Sequence, residues 1–298
     1  MPILTAGLAA CLALFGCRPG RQRAAGPDSA ELAARAARLE QAIAQPDSSK
    51  DKDQPIARWV LPRHLAEISG LALTADGRLL AHNDELGRVV DIDYRRGTVR
   101  KQFLLGRTAV HADFEGITVA GQSIYLLASD GRLFEFREGD EGARVAYKIH
   151  DTRLGRECEF EGVAFDPAIN SLLLACKVVG KKSLQGSLVI YRWKLDAAKG
   201  ERLSLLTVPL ARVIGSNRWK GLHPSDITVD PSNGHYVLVS AQEEAIVELT
   251  PSGEVVAARP LPPGHAHTEG VAITKDGILI ISDEAGKSAA AITLYRRR

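Results

Sequence analysis

Short runs of alternating apolar and polar residues, separated by turn formers, fill the chain from residue 55 to its end. That rhythm predicts strands rather than helices. One alternating box recurs five times: Glu67-Ile68-Ser69-Gly70-Leu71, Asp113-Phe114-Glu115-Gly116-Ile117, Glu159-Phe160-Glu161-Gly162-Val163, His223-Pro224-Ser225-Asp226-Ile227 and His267-Thr268-Glu269-Gly270-Val271. The third positions, Ser69, Glu115, Glu161, Ser225 and Glu269, step along the chain by 46, 46, 64 and 44 residues. A repeat of roughly 45 residues made of short strands marks a β-propeller with four strands to a blade.

The prediction is an all-β, five-bladed β-propeller over 55–298, each box being the innermost strand of a blade. The last blade has three strands of its own, ending with Ala290 to Tyr295. A strand over Ile56 to Leu61 belongs to no other blade and is placed to supply the fourth, closing the ring at its seam. Six blades would require an irregular blade hidden in 178–186 and 205–222.

Ahead of residue 55 the pattern changes. Ile3 to Gly16 is an apolar run shorter than the ~20 residues a spanning helix needs, with the length of a signal-peptide core. Residues 1–16 are read as a signal peptide and 17–54 as a tether. Leu14-Phe15-Gly16-Cys17 resembles the bacterial lipobox. That resemblance implies lipid on Cys17 and a mature protein anchored in the inner or outer membrane, facing the periplasm. The alternative is an ordinary secretory signal. Within the tether, Ser29 to Gln45 predicts a helix capped by Asp28 or Ser29, with a thin apolar stripe of Leu32, Ala36, Leu39 and Ile43. The polar run 46–53 reads as a flexible linker.

Composition narrows the function. With 298 residues, 45% of them apolar, the chain has enough material for a full core. A net charge of +2 and an aromatic content of 5% argue against nucleic acid as a partner. Of four cysteines, Cys11 and Cys17 precede the propeller. Cys158 and Cys176 both fall in blade three, near each other but not directly opposite. They are candidates for a disulfide, with two buried thiols as the alternative.

The boxes are also where the chemistry gathers. Side chains on a strand alternate, so first and third box positions share a face. Glu67, Asp113, Glu115, Glu159, Glu161 and Glu269 would then converge on the axis, with His223, His267 and Asp226 beside them. Such crowding calls for a cation, hydrogen bonds or raised pKa values. Carboxylate and backbone oxygens suit Ca²⁺. The metal candidates are therefore Glu67, Asp113, Glu115, Glu159, Glu161, Asp226 and Glu269. The alternative is that these acids accept hydrogen bonds from backbone N–H groups. The second strands end near the same place, and His82, Asn83, Asp84, Asp283 and Glu284 join His223 and His267 as candidates to line the channel mouth. Turn chemistry is the competing explanation for the Asn and Asp residues. No nucleophile elbow, zinc-protease helix, P-loop or dinucleotide fingerprint is present.

Glu67-Ile68-Ser69-Gly70-Leu71, His82-Asn83-Asp84, Asp113-Phe114-Glu115-Gly116-Ile117 and His267-Thr268-Glu269-Gly270-Val271 resemble the SdiA-regulated (YjiK-like) family of bacterial envelope propellers, over about 60 to 297. The Glu-Gly boxes are more loosely similar to regucalcin–gluconolactonase and phytase-like esterase propellers. The first likeness implies an envelope propeller. The second implies an axial divalent cation and hydrolysis of lactones or esters, with Glu115, Glu161, Asp226 and Glu269 in comparable places. The inner-strand Asn ligands of those hydrolases are missing here. The expected function is therefore a membrane-anchored module that binds Ca²⁺ in its channel and takes a small ligand or an envelope protein. A metal-dependent hydrolase of lactones or phosphate or carboxylic esters, with His82 or a neighbouring acid as base, is the alternative.

Overall fold

A computed structural model describes residues 28–44, 53–198 and 200–297. The signal peptide, Cys17 and most of the linker lie outside the described residues.

Five antiparallel sheets surround one axis. Blade one runs outward through Ile68–Leu73, Leu79–Asn83, Arg88–Asp93 and Thr98–Leu105, and blade two through Phe114–Ala120, Ser123–Ala128, Arg132–Phe136 and Tyr147–Asp151. Blade three uses Cys158–Asp166, Ser171–Val179, Ser187–Lys194 and Leu203–Pro209. Blade four uses Asp226–Val229, Tyr236–Ser240, Ala245–Leu249 and Val255–Pro260. Blade five uses Thr268–Ile273, Ile278–Asp283 and Ala291–Arg296, then takes its outermost strand, Ala57–Val60, from the start of the domain. The register Ala57↔Leu294 to Val60↔Ala291 is the expected closure.

The segments in which a sixth blade would have to lie do not contain one. Residues 182–184 form a single 3-10 turn, and 210–214 form a short helix that buries Val213 beside blade four. Blade one differs from expectation by one strand. Arg144–Val145, reaching over from blade two, pairs in parallel with Leu104–Leu105. That pairing covers the outer edge of blade one, which would otherwise present unpaired backbone groups.

The core lies between the blades, because every sheet buries both faces. Phe103, Phe114, Phe134 and Ile117, for example, fill the space between blades one and two. The innermost strands approach so closely that the box glycines are sterically required. A Cβ on Gly162 would sit 2.8 Å from the Asp226 Cα, and one on Gly116 would sit 2.8 Å from the Val163 nitrogen.

The helix of the tether forms over Ser29–Ala44, with Asp28 as its cap: Asp28 Oδ1 accepts the Glu31 N–H at 2.8 Å. Its stripe is not left in solvent. Leu39 is buried among Leu61, Leu65 and Leu294, and Ile43 packs beside them. Arg35 stacks on the Trp59 ring at 5.3 Å, and Arg296 donates to the Ile43 carbonyl at 3.1 Å. The helix thus covers the seam where the ring closes, in place of serving only as a spacer. No described helix is long and apolar enough to cross a membrane.

Candidate functional site: an axial carboxylate cluster around a lysine

The boxes do not run as plain strands. In blade two Phe114 pairs with Ala128 and Gly116 with Leu127, so Glu115 has no partner residue. Blade five skips Glu269 in the same way, and blade three skips both Glu161 and Lys177. Blade one has a shift between Ile68 and Leu71. These are β-bulges, which insert a residue and re-aim its side chain. They also break the alternation that would put first and third positions on one face. The first positions Glu67, Asp113, Glu159 and His267 are exposed, whereas Glu161 is buried and Glu115 and Glu269 are half-buried. In place of six acids converging on the axis there is one inner set of three, Glu115, Glu161 and Glu269, and an outer set in solvent.

Lys177 enters this inner set. Its Nζ lies 2.6 Å from Glu161 Oε1. Burial pushes the Glu161 carboxyl up, against the pull of that ammonium. Burial alone would lower Lys177, but the bond to Glu161 and the fields of Glu161, Glu269 and Glu115 hold it above the ordinary lysine value. Glu115 is pushed up to about 9 by burial, then by Glu161 and Asp113. Burial, Glu161 and Glu284 push Glu269 up to about 8. Asp84 and Glu284 are raised as well, first by burial and then by Glu67 among their neighbours. A single ammonium thus sits among more carboxylates than it neutralises, and two of them hold protons at neutral pH.

Asp226 has a different part. It occupies the box position that is glycine in the other four blades, and it is fully buried. Its Oδ1 accepts the Ile227 N–H at 2.8 Å, and its Oδ2 accepts the N–H groups of Val271 at 2.9 Å and Leu71 at 3.5 Å. Those three residues are equivalent positions of blades four, five and one. The carboxylate therefore ties three inner strands together across the axis. Burial drives its pKa well up, while the three N–H donors pull it down. The hydrogen-bonding alternative weighed for the box acids applies to this residue.

The second set of candidates separates into structural groups and mouth groups. His82 is buried, accepts the Gly70 N–H at Nε2 (3.0 Å), and has Nδ1 3.1 Å from the Asn83 carbonyl. Nδ1 is then the protonated nitrogen, and burial lowers the ring to about 4. With both nitrogens engaged, His82 has no lone pair free to act as a base. Asn83 Oδ1 accepts the Leu86 N–H and Asp84 Oδ1 the Glu85 N–H, both at 2.8 Å, which is the turn chemistry considered above. Asp283 is buried against His265 Nδ1 at 2.8 Å, and His265 Nε2 meets the Tyr295 hydroxyl at 2.7 Å. His223 faces the mouth and is held by Glu243, which takes its N–H at 2.9 Å and its Nδ1 at 2.8 Å. His267 and Glu284 approach to 3.8 Å.

Three participants escaped the sequence reading. Lys177 stood next to Cys176 at the end of a second strand, yet only the bulge on each strand brings it to Glu161. Glu243 stands just beyond a second strand, where the channel-mouth candidates gather, and that placement points to it; His265 belongs to no repeated box, and no spacing signal would have found it.

The cation test follows from this geometry. Among the described residues no three His, Cys, Asp or Glu side chains are placed to hold a metal ion. Asp226 spends its oxygens on backbone N–H groups, and Lys177 holds the charge position beside Glu161. The arrangement does not fit a Ca²⁺ cage, which needs six to eight oxygens around one point.

At the entrance to the same blade, Cys158 and Cys176 form a disulfide with their Cα atoms 5.6 Å apart. The bulges make this possible: Cys176 pairs with Phe160, two residues beyond Cys158. The bond fixes the strand that carries Lys177.

The architecture has solved relatives. A glutaminyl cyclase from Myxococcus xanthus is similar with a TM-score of 0.55 and 14% identity, over 81% of this chain and 94% of that one. A PQQ-bound aldose sugar dehydrogenase from Streptomyces coelicolor gives 0.51 and 14%, over 80% and 98%. A luciferin-regenerating enzyme gives 0.50 and 10%, over 82% and 95%. At such identities the likeness shows the fold alone. No curated protein matches. Residues 212–297, which hold blade four and the chain's last three strands, match the SdiA-regulated family, the family that the inner-strand boxes resemble.

Proposed function

We propose that this propeller is a ligand-binding module whose axial mouth takes a cationic group, an amine or guanidinium, into the carboxylates around Lys177. The observation that carries this is the excess of acid: Glu115, Glu161 and Glu269 share one ammonium, Asp84, Asp113 and Glu284 are close enough to raise their pKa values, and Glu67 does the same to Asp84 and Glu284. A bound cation supplies the charge the cluster lacks, and Glu115 and Glu269 then release their protons. Affinity therefore rises with pH between about 6 and 9. In this reading Cys17 carries a lipid and the module faces the periplasm, a compartment compatible with the Cys158–Cys176 disulfide.

The test is calorimetric titration of the full chain with spermidine in two buffers of different ionisation enthalpy. Saturable binding with proton release, lost in Glu161→Gln/Glu269→Gln, supports the module. No binding at low salt, or binding indifferent to both substitutions, would overturn it. Replacing Cys17 by Ser and following membrane association tests the anchor separately.

A second reading, hydrolysis of lactones or esters, draws on Glu115 and Glu269 as proton-bearing acids at neutral pH. It lacks His82 as base. Turnover of a lactone or phosphate ester that disappears in Glu115→Gln would favour it.

A further inference from the structure

The axis has a second end. Beyond Asp226, on the side where the inner strands finish, a cavity of about 710 Å³ opens among all five blades. None of the mouth acids lines it. The close approach of the inner strands at the box glycines, with the Asp226 carboxylate between them, separates the two ends.

Its walls come from equivalent positions. Leu73, Val119, Phe165, Val229 and Ile273 each stand two residues beyond the apolar residue that follows the box glycine (or Asp226), and together they form an apolar collar. Two hydroxyls interrupt it. Thr118, 6% exposed, and Thr228 make no side-chain hydrogen bond among the described residues. Both line the cavity, where their hydroxyls are open to hydrogen-bond with whatever fills it. Charge lies at the rim. Arg78 is held by Asp76, Asp91 and Glu138, Arg95 by Asp276, and Arg100 by Asp93. Lys275 differs, since its Nζ reaches only the Ala75 carbonyl at 3.4 Å and has no carboxylate partner among the described residues. A pocket in the size range of small-molecule sites, with an apolar collar, two open hydroxyls and a polar, charged rim that carries a lysine without an acidic partner among the described residues, suits an amphipathic guest.

We propose that this funnel binds a small amphipathic monoanion, a medium-chain aliphatic carboxylate. Its apolar body lies in the collar, and its carboxylate meets Lys275. The site is independent of the cation-binding mouth and does not rest on that reading.

Decanoate below its micellar concentration is the probe, titrated calorimetrically into the full chain, with decanol as the neutral analogue. The expected result is one saturable site for decanoate and weaker binding of decanol. Lys275→Glu is exposed and tolerable to the fold, and it lowers decanoate affinity roughly fivefold or more, the scale of one partly exposed ion pair. Val229→Trp fills the collar and abolishes binding. Lys287→Glu, an equal charge change near the opposite mouth, leaves binding unchanged. Absence of saturable decanoate binding overturns the proposal. So does an affinity that Lys275→Glu does not weaken, or one that Lys287→Glu weakens equally.

Discussion

Lys177 Nζ and Glu161 Oε1 lie 2.6 Å apart, and neither residue has a partner in the strand ladder that joins Cys158–Asp166 to Ser171–Val179. Each is the extra residue of a bulge. The two irregularities flank the Phe160↔Cys176 pair, one on each strand, and the ion pair joins them diagonally. A lysine thereby holds the position that the carboxylate pattern suggested for a metal.

Removing that ammonium leaves a buried carboxylate without its counter-charge. Lys177→Met is expected to destabilise the fold by about 1–2 kcal/mol at pH 7, less than a fully buried pair because Lys177 is partly exposed. Urea unfolding measures it. The same variant removes the one ammonium of the cluster, so spermidine should raise its melting temperature more than the parent's. A shift of equal size in both proteins would show that Lys177 does not occupy the cation position.

Asp226 closes the waist of the axis through three backbone N–H groups. Asp226→Ala leaves those donors buried and unpaired, with an expected loss of about 2–4 kcal/mol by urea unfolding. Gly162→Ala strikes the same place from the other side, because its Cβ would press on the Asp226 backbone. The two effects should be non-additive in the double variant, since they disturb one contact.

Stability should fall as pH rises from about 4.5 towards 9, with one group working against the trend. Glu115 and Glu269 have folded-state pKa values of about 9 and 8, above the ordinary 4.5. Across that window the folded state binds more protons than the unfolded one, and their contribution is lost as pH rises through 8 and 9. His82, lowered to about 4 from 6.5, acts the other way. Between those values the unfolded state binds the extra proton, and the His82 contribution is lost as pH falls from 6.5 towards 4. Two acids outweigh one histidine, so the net slope is downward. Melting temperatures from pH 4 to 10 check it. Glu115→Gln/Glu269→Gln should remove the fall and leave the rise that His82 causes between pH 4 and 6.5.

The Cys158–Cys176 disulfide closes a loop with a sequence separation of 18. Loops of that size contribute about 3 kcal/mol in the chain-entropy account. Cys158→Ser/Cys176→Ser should lose roughly that amount, and dithiothreitol should lower the parent's melting temperature without affecting the variant. Because the bond anchors the strand bearing Lys177, the variant should also weaken spermidine binding.

The fold was legible because period and alternation are local properties of a chain. The 46-residue spacing of Ser69, Glu115 and Glu161 counts blades, and the unpaired strand at Ile56 to Leu61 had one vacant edge to complete. The helix at Ser29–Ala44 was equally readable from its cap and stripe. What that stripe would cover was not, since Leu61, Leu65 and Leu294 meet only when the ring closes.

The chemistry at the axis was only half legible. Sequence determined that acids recur at the start of each inner strand, that Asp226 replaces a glycine, and that two cysteines share a blade. Tertiary structure decided which acids point inward, because a bulge shifts a side chain by one position in a way that no alternation rule anticipates. It also decided that Lys177 joins Glu161, that Asp226 accepts N–H groups from three blades, and that His82 and Asp283 serve buried hydrogen bonds. Each of these depends on distances between strands far apart in the chain, and those distances are set by how closely the five inner strands, four of them with a box glycine and one with Asp226, pack around one axis.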